Sequence, residues 1–255
     1  MNKLNECIIL GGGLSVNEGQ EKGLFQKIEN KFVIGINFAF KFFNPTFTCF
    51  ADPISFYKTY YNEIKDLPLI VGRTTPDIGV KPHPNTIFLK PSNIYNRTLS
   101  NGLYHPFLSG LVAISLAIYL LDIGKIILLG FDGGKITKDR EQVDITKVKN
   151  KGVIISQGGK YWRERSHWYQ GKLEHRGIGK INFYHSDNKV NKLFSVFKNE
   201  TKCSIVNVSP NSNLFTFPKI NYDEMFNQLN NETYNQEELR RFIREKLSIL
   251  PKGVK

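Results

Sequence analysis

The feature that most constrains the fold is a buried strand that runs directly into a glycine turn near the start of the chain. The apolar run Glu6–Leu10 is followed by Gly11-Gly12-Gly13-Leu14-Ser15, and a polar helical pattern covers about residues 18–29. A strand, a glycine turn and a helix in this order are typical of doubly wound α/β domains, where backbone N–H groups of the turn approach a phosphate or a sugar. The turn lacks both the G-x-G-x-x-G spacing and a P-loop lysine, so a purely structural turn is the alternative.

Small polar residues follow three more predicted strands, and another opens a long apolar helix. They are Asn37 after the strand 32–36, Asp52 after the strand 47–50, Asp132 after the strand 125–129, and Ser109 before the apolar run 110–121. Each residue alone is more often a cap or a turn residue. If the sheet is parallel, three of them share its carboxyl edge, so together they predict a ligand crevice there.

The remaining pattern alternates between strands and helices. Further strands are predicted at 69–71, 86–89, 181–184 and 203–208, and helices at 190–197, 222–229 and 235–250. We therefore predict an α/β fold with a single doubly wound, mostly parallel, Rossmann-like sheet over residues 1–220. Residues 221–255 are predicted to form a C-terminal helical tail.

Positive charge is concentrated in one segment of this chain of 255 residues, whose formal net charge is +12. Residues 133–202 hold 16 Lys and Arg against 7 Asp and Glu, which is roughly +9 of that charge. Over about 133–180 the sequence has no sustained periodicity but is rich in aromatic residues, which predicts an irregular basic lid. The charge alone would fit nucleic acid, a nucleotide, a phospholipid surface or an acidic glycan.

Several classes of protein are disfavoured by what the sequence lacks. No D-x-D triplet, Cys-x-x-Cys pair or His-x-x-x-His pair is present, so a zinc ribbon or a zinc protease is not expected. Cys7, Cys49 and Cys203 lie in apolar runs and are predicted to be core thiols in a reducing compartment. The N-terminus does not read as a signal peptide, and the most apolar stretch is interrupted by polar residues, which predicts a soluble, cytoplasmic protein.

Two histidines are candidates for a general base. His185 stands between a predicted strand and a predicted helix, and its near-neutral pKa would let it accept a proton from a hydroxyl. A surface or loop histidine is the alternative interpretation. His167, within the aromatic part of the lid, is the rival base.

The last predicted helix carries an apolar stripe, Leu239, Phe242, Ile243, Leu247 and Leu250, with arginines and a lysine around it. The stripe favours docking against the domain or against a sister subunit. Docking against a sister subunit would make a homo-oligomer. Peripheral contact with an anionic membrane surface is the alternative.

These pieces, in this order, resemble the bacterial sialyltransferases of glycosyltransferase family 42 and a related domain found in flagellin-modifying proteins and an archaeal pterin pyrophosphokinase. The resemblance covers roughly residues 4–220. The residues that carry it are Gly11-Gly12-Gly13-Leu14-Ser15-Val16, Ile36-Asn37-Phe38, Ala51-Asp52-Pro53, Ser109-Gly110, Leu129-Gly130-Phe131-Asp132, His185-Ser186 and Ser209-Pro210-Asn211-Ser212. It implies a GT-A-like variant of the Rossmann-like sheet. Gly12 and Asp52 stand where the family has Asn.

The resemblance also implies roles for individual residues. Gly11, Gly12, Gly13 and Ser15 would line the nucleotide phosphate and sugar, Asn37 and Asp52 would contact the donor, Ser109 and Gly110 would hold its carboxylate, Gly130 and Asp132 would lie beside the nucleotide, and His185 would be the catalytic base. The family's phosphate-binding tyrosines are absent after Asp132, and Lys135, Tyr161, Arg163, Arg165 or Tyr169 would take their place.

The function expected from this resemblance is a metal-independent, inverting, sialyltransferase-like glycosyltransferase, which needs no cofactor. It would move a sugar from a CMP-activated nucleotide-sugar donor to a glycan or lipopolysaccharide-like acceptor. The protein would be located in the cytoplasm, or attached peripherally to the inner face of the membrane. One alternative is a pyrophosphokinase or another nucleotide-dependent transferase, which would bind a divalent metal through Asp52 and Asp132. The other is a non-catalytic protein that binds nucleic acid through residues 133–202, although no nucleic-acid motif lies there.

Overall fold

The computed structural model describes residues 4–74, 78–92, 94–95, 97–104, 108–132, 140–143, 153–157, 160–164 and 187–253. Its strands are β1 Glu6–Leu10, β2 Val33–Ile36, β3 Phe47–Phe50, β4 Ile70–Arg73, β5 Thr86–Leu89, β6 Pro91–Ser92, β7 Leu103–Tyr104, β8 Lys125–Leu129, β9 Arg140–Val143, β10 Val153–Gln157, β11 Lys160–Glu164 and β12 Ser204–Asn207. Its α-helices are α1 Val16–Glu21, α2 Leu24–Lys27, α3 Tyr61–Ile64, α4 Ser109–Ser115, α5 Asp187–Phe194, α6 Tyr222–Gln228 and α7 Gln236–Ser248.

Seven strands form one parallel sheet in the order β12-β8-β1-β2-β3-β4-β5. Each adjacent pair in it is parallel, so the predicted α/β fold with a mostly parallel sheet is confirmed. From β1 the chain builds outward to β5 on one side, and β8 and β12 are then added on the other side. The strand order therefore reverses between β1 and β8, and this switch point is where ligands bind in open α/β sheets.

Helices cover both faces of the sheet, because side chains of the central strands point alternately into two apolar cores. Cys7 and Ile9 of β1 point into one apolar core with α4 and α7, whereas Ile8 and Leu10 point into the other with α1, α2 and α6. A strand buried on both faces is apolar at nearly every position rather than at alternate ones. This is the pattern of β1, β2, β3 and β8, all of whose residues are buried except the first of β8.

The C-terminal helices are parts of these two cores. Tyr222 and Met225 of α6 lie in one, and the stripe of α7, including Leu239, Ile243 and Leu247, is buried in the other. Docking against the domain, one of the three interpretations of this stripe, is therefore what the structure shows. Most apolar side chains of α7 are therefore buried, and its charged residues lie nearer the surface.

The segment after α7 covers the edge of the sheet. The N–H of Gly253 donates to the carbonyl of Phe88, and the N–H of Lys90 donates to the carbonyl of Pro251. An uncovered edge strand is a template for unwanted pairing with another chain, so this contact protects β5.

Two predictions about secondary structure are corrected by the structure. The helix expected over 18–29 is two helices, α1 and α2, because Gly23 between them adopts φ +77°. The segment of about 133–180, which was expected to be irregular, contains β9, β10 and β11, and these form an antiparallel sheet in the order β10-β11-β9. The strand predicted at 181–184 lies outside the described residues.

The three cysteines are buried free thiols, as predicted. Burial raises the pKa of each, to about 12 for Cys203, where the nearby charge of Glu200 adds to the effect. Within the described part of the chain, every helix is too short or too polar to cross a bilayer.

Candidate functional site

The carboxyl ends of β1 and β8 are joined by their backbones. The N–H of Gly11 donates to the carbonyl of Leu129 at 2.7 Å, and the N–H of Gly13 donates to the carbonyl of Gly130 at 2.8 Å. A Cβ atom on Gly11 would lie 2.9 Å from the carbonyl oxygen of Gly130, and Gly130 itself has φ +69°. Glycine is needed at both positions because the loops could not approach so closely otherwise.

The side chain of Asp132 lies against the backbone of the glycine turn. Its side-chain atom Oδ2 accepts a hydrogen bond from the N–H of Ser15 at 3.0 Å, and the residue is only 6% exposed. Among the described residues, no partner bonds to Asp132 Oδ1 or to the hydroxyl of Ser15, although both atoms are buried. A buried polar atom without a hydrogen-bond partner is destabilising, so a donor that reached Asp132 Oδ1, or a partner for the Ser15 hydroxyl, would be stabilised here.

A third loop, which follows β12, holds Asp132 in position. The Ser212 hydroxyl and the Asn207 side-chain amide both donate to the carbonyl of Phe131, at 2.7 Å and 2.9 Å. The N–H of Asn213 donates to the carbonyl of Asp132 at 2.8 Å. Asn207 was not singled out from the sequence because it sits within a strand, and its role depends on the pairing of β12 with β8.

A second group of predicted residues meets at the ends of β2 and β3. The Ser109 hydroxyl donates to Asn37 Oδ1 at 3.1 Å and accepts from the N–H of Ala51 at 2.9 Å. Asn37 has φ +50°, a left-handed conformation that asparagine tolerates better than most residues. Asp52 comes next, and its Oδ1 accepts from the N–H of Ile54 at 3.1 Å, so it also serves as a turn residue.

Arg73, the last residue of β4, completes this group and was missed in the sequence. Its Nε–H donates to the carbonyl of Ala51 at 2.6 Å. Burial lowers the pKa of Arg73, and the charge of Asp52 opposes that effect. The sequence signal that could have found it is a charged residue directly after the apolar strand 69–72, at the same edge as Asn37 and Asp52.

Phe131 connects the two groups. A Cβ atom on Gly11 would lie 3.2 Å from one side of its ring, and a Cβ atom on Gly110 would lie 2.7 Å from another. Phe194 of α5 packs edge-on against the same ring, with centroids 6.1 Å apart. Gly11 and Gly110 are therefore needed for the packing around Phe131.

The structure thus brings most of the predicted site residues to one edge of the sheet. They are Gly11, Gly12, Gly13, Ser15, Asn37, Asp52, Ser109, Gly110, Gly130 and Asp132. Lys135, Tyr169, His185 and the rival base His167 lie outside the described residues, and for Tyr161 only its place in β11 is described. In the described residues, no three His, Cys, Asp or Glu side chains converge as metal ligands would.

Comparison with known proteins identifies no relative. No family model, no curated protein and no solved structure matches this chain.

Proposed function

We propose that this chain is a metal-independent, inverting glycosyltransferase of sialyltransferase-like type, which moves a sugar from a CMP-activated donor to a glycan hydroxyl. In this proposal the sheet is a Rossmann-like, GT-A-like variant, and the segment 133–180 is a basic lid over the donor. The three free thiols favour a reducing, cytoplasmic location.

The observation that carries the proposal is the row of polar groups along the carboxyl edge of the sheet. Gly11–Ser15 follow β1, Asn37 follows β2, Asp52 follows β3 and Arg73 ends β4. Neighbouring strands are about 4.8 Å apart, so the row extends about 14 Å from the switch point. A nucleotide at the glycine turn would leave its sugar over the ends of β2 and β3.

The chemistry follows from the roles proposed for these residues. The acceptor hydroxyl attacks the anomeric carbon, His185 takes the hydroxyl proton, and the bond between that carbon and the CMP phosphate oxygen breaks with inversion. Negative charge grows on the departing phosphate, where fixed positive groups of the lid would stabilise it. The proposal for His185 is supported by its place in the sequence, two residues before α5, a helix that packs through Phe194 on Phe131.

The geometry gives less support to the alternative of a metal-dependent pyrophosphokinase. Asp132 follows β8 and Asp52 follows β3, with β1 and β2 between them, so their strands are about 14 Å apart. Two carboxylates so far apart do not share one divalent ion. A nucleic-acid-binding function would depend on residues 133–202, and steep loss of binding with added salt would be its signature.

Ligand-induced thermal stabilisation tests the proposal. The protein is heated with CMP, UDP, GDP, ADP or ATP, with and without magnesium. A ligand at 100 times its Kd stabilises the folded state by about 2.7 kcal/mol. We expect stabilisation by CMP in the presence of EDTA; a response only to ATP with magnesium would instead favour the pyrophosphokinase.

Replacement of the proposed base tests catalysis separately from binding. General base catalysis contributes about 10²- to 10⁴-fold, so His185→Ala should lower turnover by at least 10²-fold, with CMP binding retained. His167→Ala is the matched variant, since His167 is the rival base. Unchanged turnover in His185→Ala would remove His185 from this role.

A further inference from the structure

We infer that a monovalent alkali cation, sodium or potassium, binds to three buried oxygen atoms between the end of β8 and the helices α1 and α6. We call these atoms the oxygen cluster: Oδ1 of Asp132, the hydroxyl of Ser15 and the hydroxyl of Tyr222. The inference does not depend on the proposed function, because it requires neither a nucleotide nor catalysis. It gives Tyr222 a role that neither the sequence motifs nor the resemblance supplies.

The atoms of the oxygen cluster are buried and have no hydrogen-bond partner among the described residues. Asp132 is 6% exposed, and Tyr222 is fully buried. Within the described part of the chain, the Asp132 carboxylate accepts one hydrogen bond, from the N–H of Ser15 to Oδ2, and takes part in no ion pair. Buried charges in proteins are paired with an opposite charge or bind a metal ion, so this carboxylate calls for a cation.

Local packing brings the three oxygen atoms together. The bond from the Ser15 N–H holds the Ser15 side chain beside the Asp132 carboxylate. Ser15 and Gly19 are four residues apart on one face of α1, about 5–6 Å from each other. The ring of Tyr222 packs on Gly19, since a Cβ atom there would lie 2.6 Å from Cζ, the carbon that carries the hydroxyl. The Tyr222 hydroxyl is therefore about one helical turn from Ser15, yet the three oxygen atoms do not bond to one another, which is how ligands surround a common ion.

The electrostatics of Tyr222 agree with this arrangement. Burial raises the pKa of Tyr222, and the negative charges of Asp132 and Glu18 raise it further. The phenol therefore stays protonated at neutral pH and offers a cation a neutral oxygen. The effect of Asp132 reflects the proximity of its carboxylate to the phenol.

The composition of the oxygen cluster favours an ion of single charge. Carboxylate and hydroxyl oxygens are the ligands of hard cations. Magnesium keeps several of its waters, for which buried oxygens leave little room, and calcium takes about six to eight oxygens, often from several carboxylates. The oxygen cluster has one carboxylate, and no three His, Cys, Asp or Glu side chains converge in the described residues. One positive charge balances it.

The ion joins α1 and α6 to the carboxyl end of β8, at the switch point of the sheet. It is a structural ion that takes no part in the proposed sugar transfer. EDTA binds alkali ions only weakly, so the test of CMP binding in EDTA leaves the ion in place. A water molecule in the same position would satisfy the hydrogen bonds but would not balance the charge.

Thermal unfolding of the full chain in different chlorides tests the inference. Sodium chloride or potassium chloride replaces tetramethylammonium chloride stepwise, with total chloride constant, so that screening and anion binding to this chain of net charge +12 stay the same. Tetramethylammonium is too bulky for a buried site. The stabilisation grows with the logarithm of the ion concentration above Kd, which gives an apparent Kd for each ion.

Tyr222→Phe is the main variant because it removes only the hydroxyl. Tyr57→Phe is its control, since Tyr57 is also fully buried in the same apolar core. The Tyr57 hydroxyl, however, accepts from the N–H of His83 at 2.7 Å and lies 3.1 Å from the Thr86 hydroxyl. Its loss should lower stability equally in all three chlorides.

We expect sodium or potassium to stabilise the wild type and Tyr57→Phe with the same apparent Kd. Tyr222→Phe should raise that Kd by about 3- to 10-fold, and Asp132→Asn, which removes the charge, by about 10- to 100-fold. If Asp132→Asn does not fold, the wild type and Tyr222→Phe still decide.

Equal stability of the wild type in the three chlorides would overturn the inference, because a water molecule would then occupy the oxygen cluster. An unchanged Kd in Tyr222→Phe would overturn it as well. Stronger stabilisation by calcium or magnesium than by the alkali ions would contradict the single charge. None of these results bears on CMP binding, so the inference and the proposed function fail separately.

Discussion

The carboxylate of Asp132 packs directly against the backbone of Gly13. A Cβ atom on Gly13 would lie 2.5 Å from both Cγ and Oδ2 of Asp132, closer than real Cβ contacts come. The same Oδ2 accepts the hydrogen bond from the N–H of Ser15. Gly13, the third glycine of the turn, is therefore required by the position of a carboxylate in the loop after β8, which the sequence neighbours of Gly13 do not reveal.

Gly13→Ala should accordingly displace Asp132 and break its bond to Ser15. Overpacking of this kind costs about 1–3 kcal/mol, and we expect the free energy of unfolding to fall by that amount. CMP affinity should fall as well. Urea denaturation measures the first effect and calorimetry the second. In the control Gly124→Ala the added Cβ would have its nearest neighbour at an ordinary 3.6 Å, so equal stability losses in the two variants would contradict this account.

Ser109→Ala should destabilise the protein because two polar groups would lose their hydrogen-bond partner. The N–H of Ala51 and the Oδ1 of Asn37 would both lose the hydroxyl that bonds them. An unsatisfied buried polar group costs about 1–3 kcal/mol, and we expect a loss in that range on urea denaturation. Ser248→Ala, at an exposed serine, is the control and should change stability by less than about 0.5 kcal/mol. A similarly small change in Ser109→Ala would show that the hydrogen bonds of Ser109 to Ala51 and Asn37 do not stabilise the fold.

Gly19→Ala sets two effects against each other. Alanine is favoured over glycine inside a helix by about 1 kcal/mol, which would stabilise α1. However, a Cβ atom on Gly19 would lie under 3.0 Å from the ring of Tyr222, which is fully buried in the core. The ring cannot move without disturbing α6, so we expect a net destabilisation of about 1–3 kcal/mol in thermal and urea unfolding. In the double variant Gly19→Ala/Tyr222→Leu, the clash with the tyrosine ring should largely disappear. If the effects of the two substitutions on the free energy of unfolding were fully additive, the contact between these positions would be refuted.

The central strands of the main sheet were predictable because they are buried on both faces. Such strands are nearly continuous apolar runs, and β1, β3 and β8 begin and end where the sequence pattern places them, as does the edge strand β5, whose first three residues are only half-buried. The polar residues that follow them meet at one edge because parallel strands share direction. Arg73 could not be predicted as part of the site in the same way. Its contact with Ala51 depends on the register of β4 against β3, where Gly72 pairs with Phe50.

The three strands of the segment 140–164 illustrate the opposite case. Arg140–Val143 and Lys160–Glu164 mix charged and apolar residues, so no apolar run marks them. Short antiparallel strands of this kind are defined by cross-strand pairing, such as that of Trp162 with Ile155 and Gln142. Pairing is a property of the fold and not of any one stretch of sequence.

The stability of the protein should fall as pH rises above about 8.5, the pKa of an unfolded cysteine thiol. Burial raises the pKa of Cys49 and of Cys7 in the folded chain, so above pH 8.5 the unfolded chain loses protons that the folded chain keeps. The free energy of unfolding then decreases with pH, by up to about 1.4 kcal/mol per pH unit for each thiol. Urea denaturation at pH 8.0, about 8.8 and about 9.5 measures this slope below the titration of unfolded tyrosine, near pH 10. Cys49→Ala should lower stability at pH 8.0 because it leaves a cavity, yet it should also make the slope shallower. A slope unchanged by this substitution would mean that Cys49 ionises as readily in the folded protein as in the unfolded one.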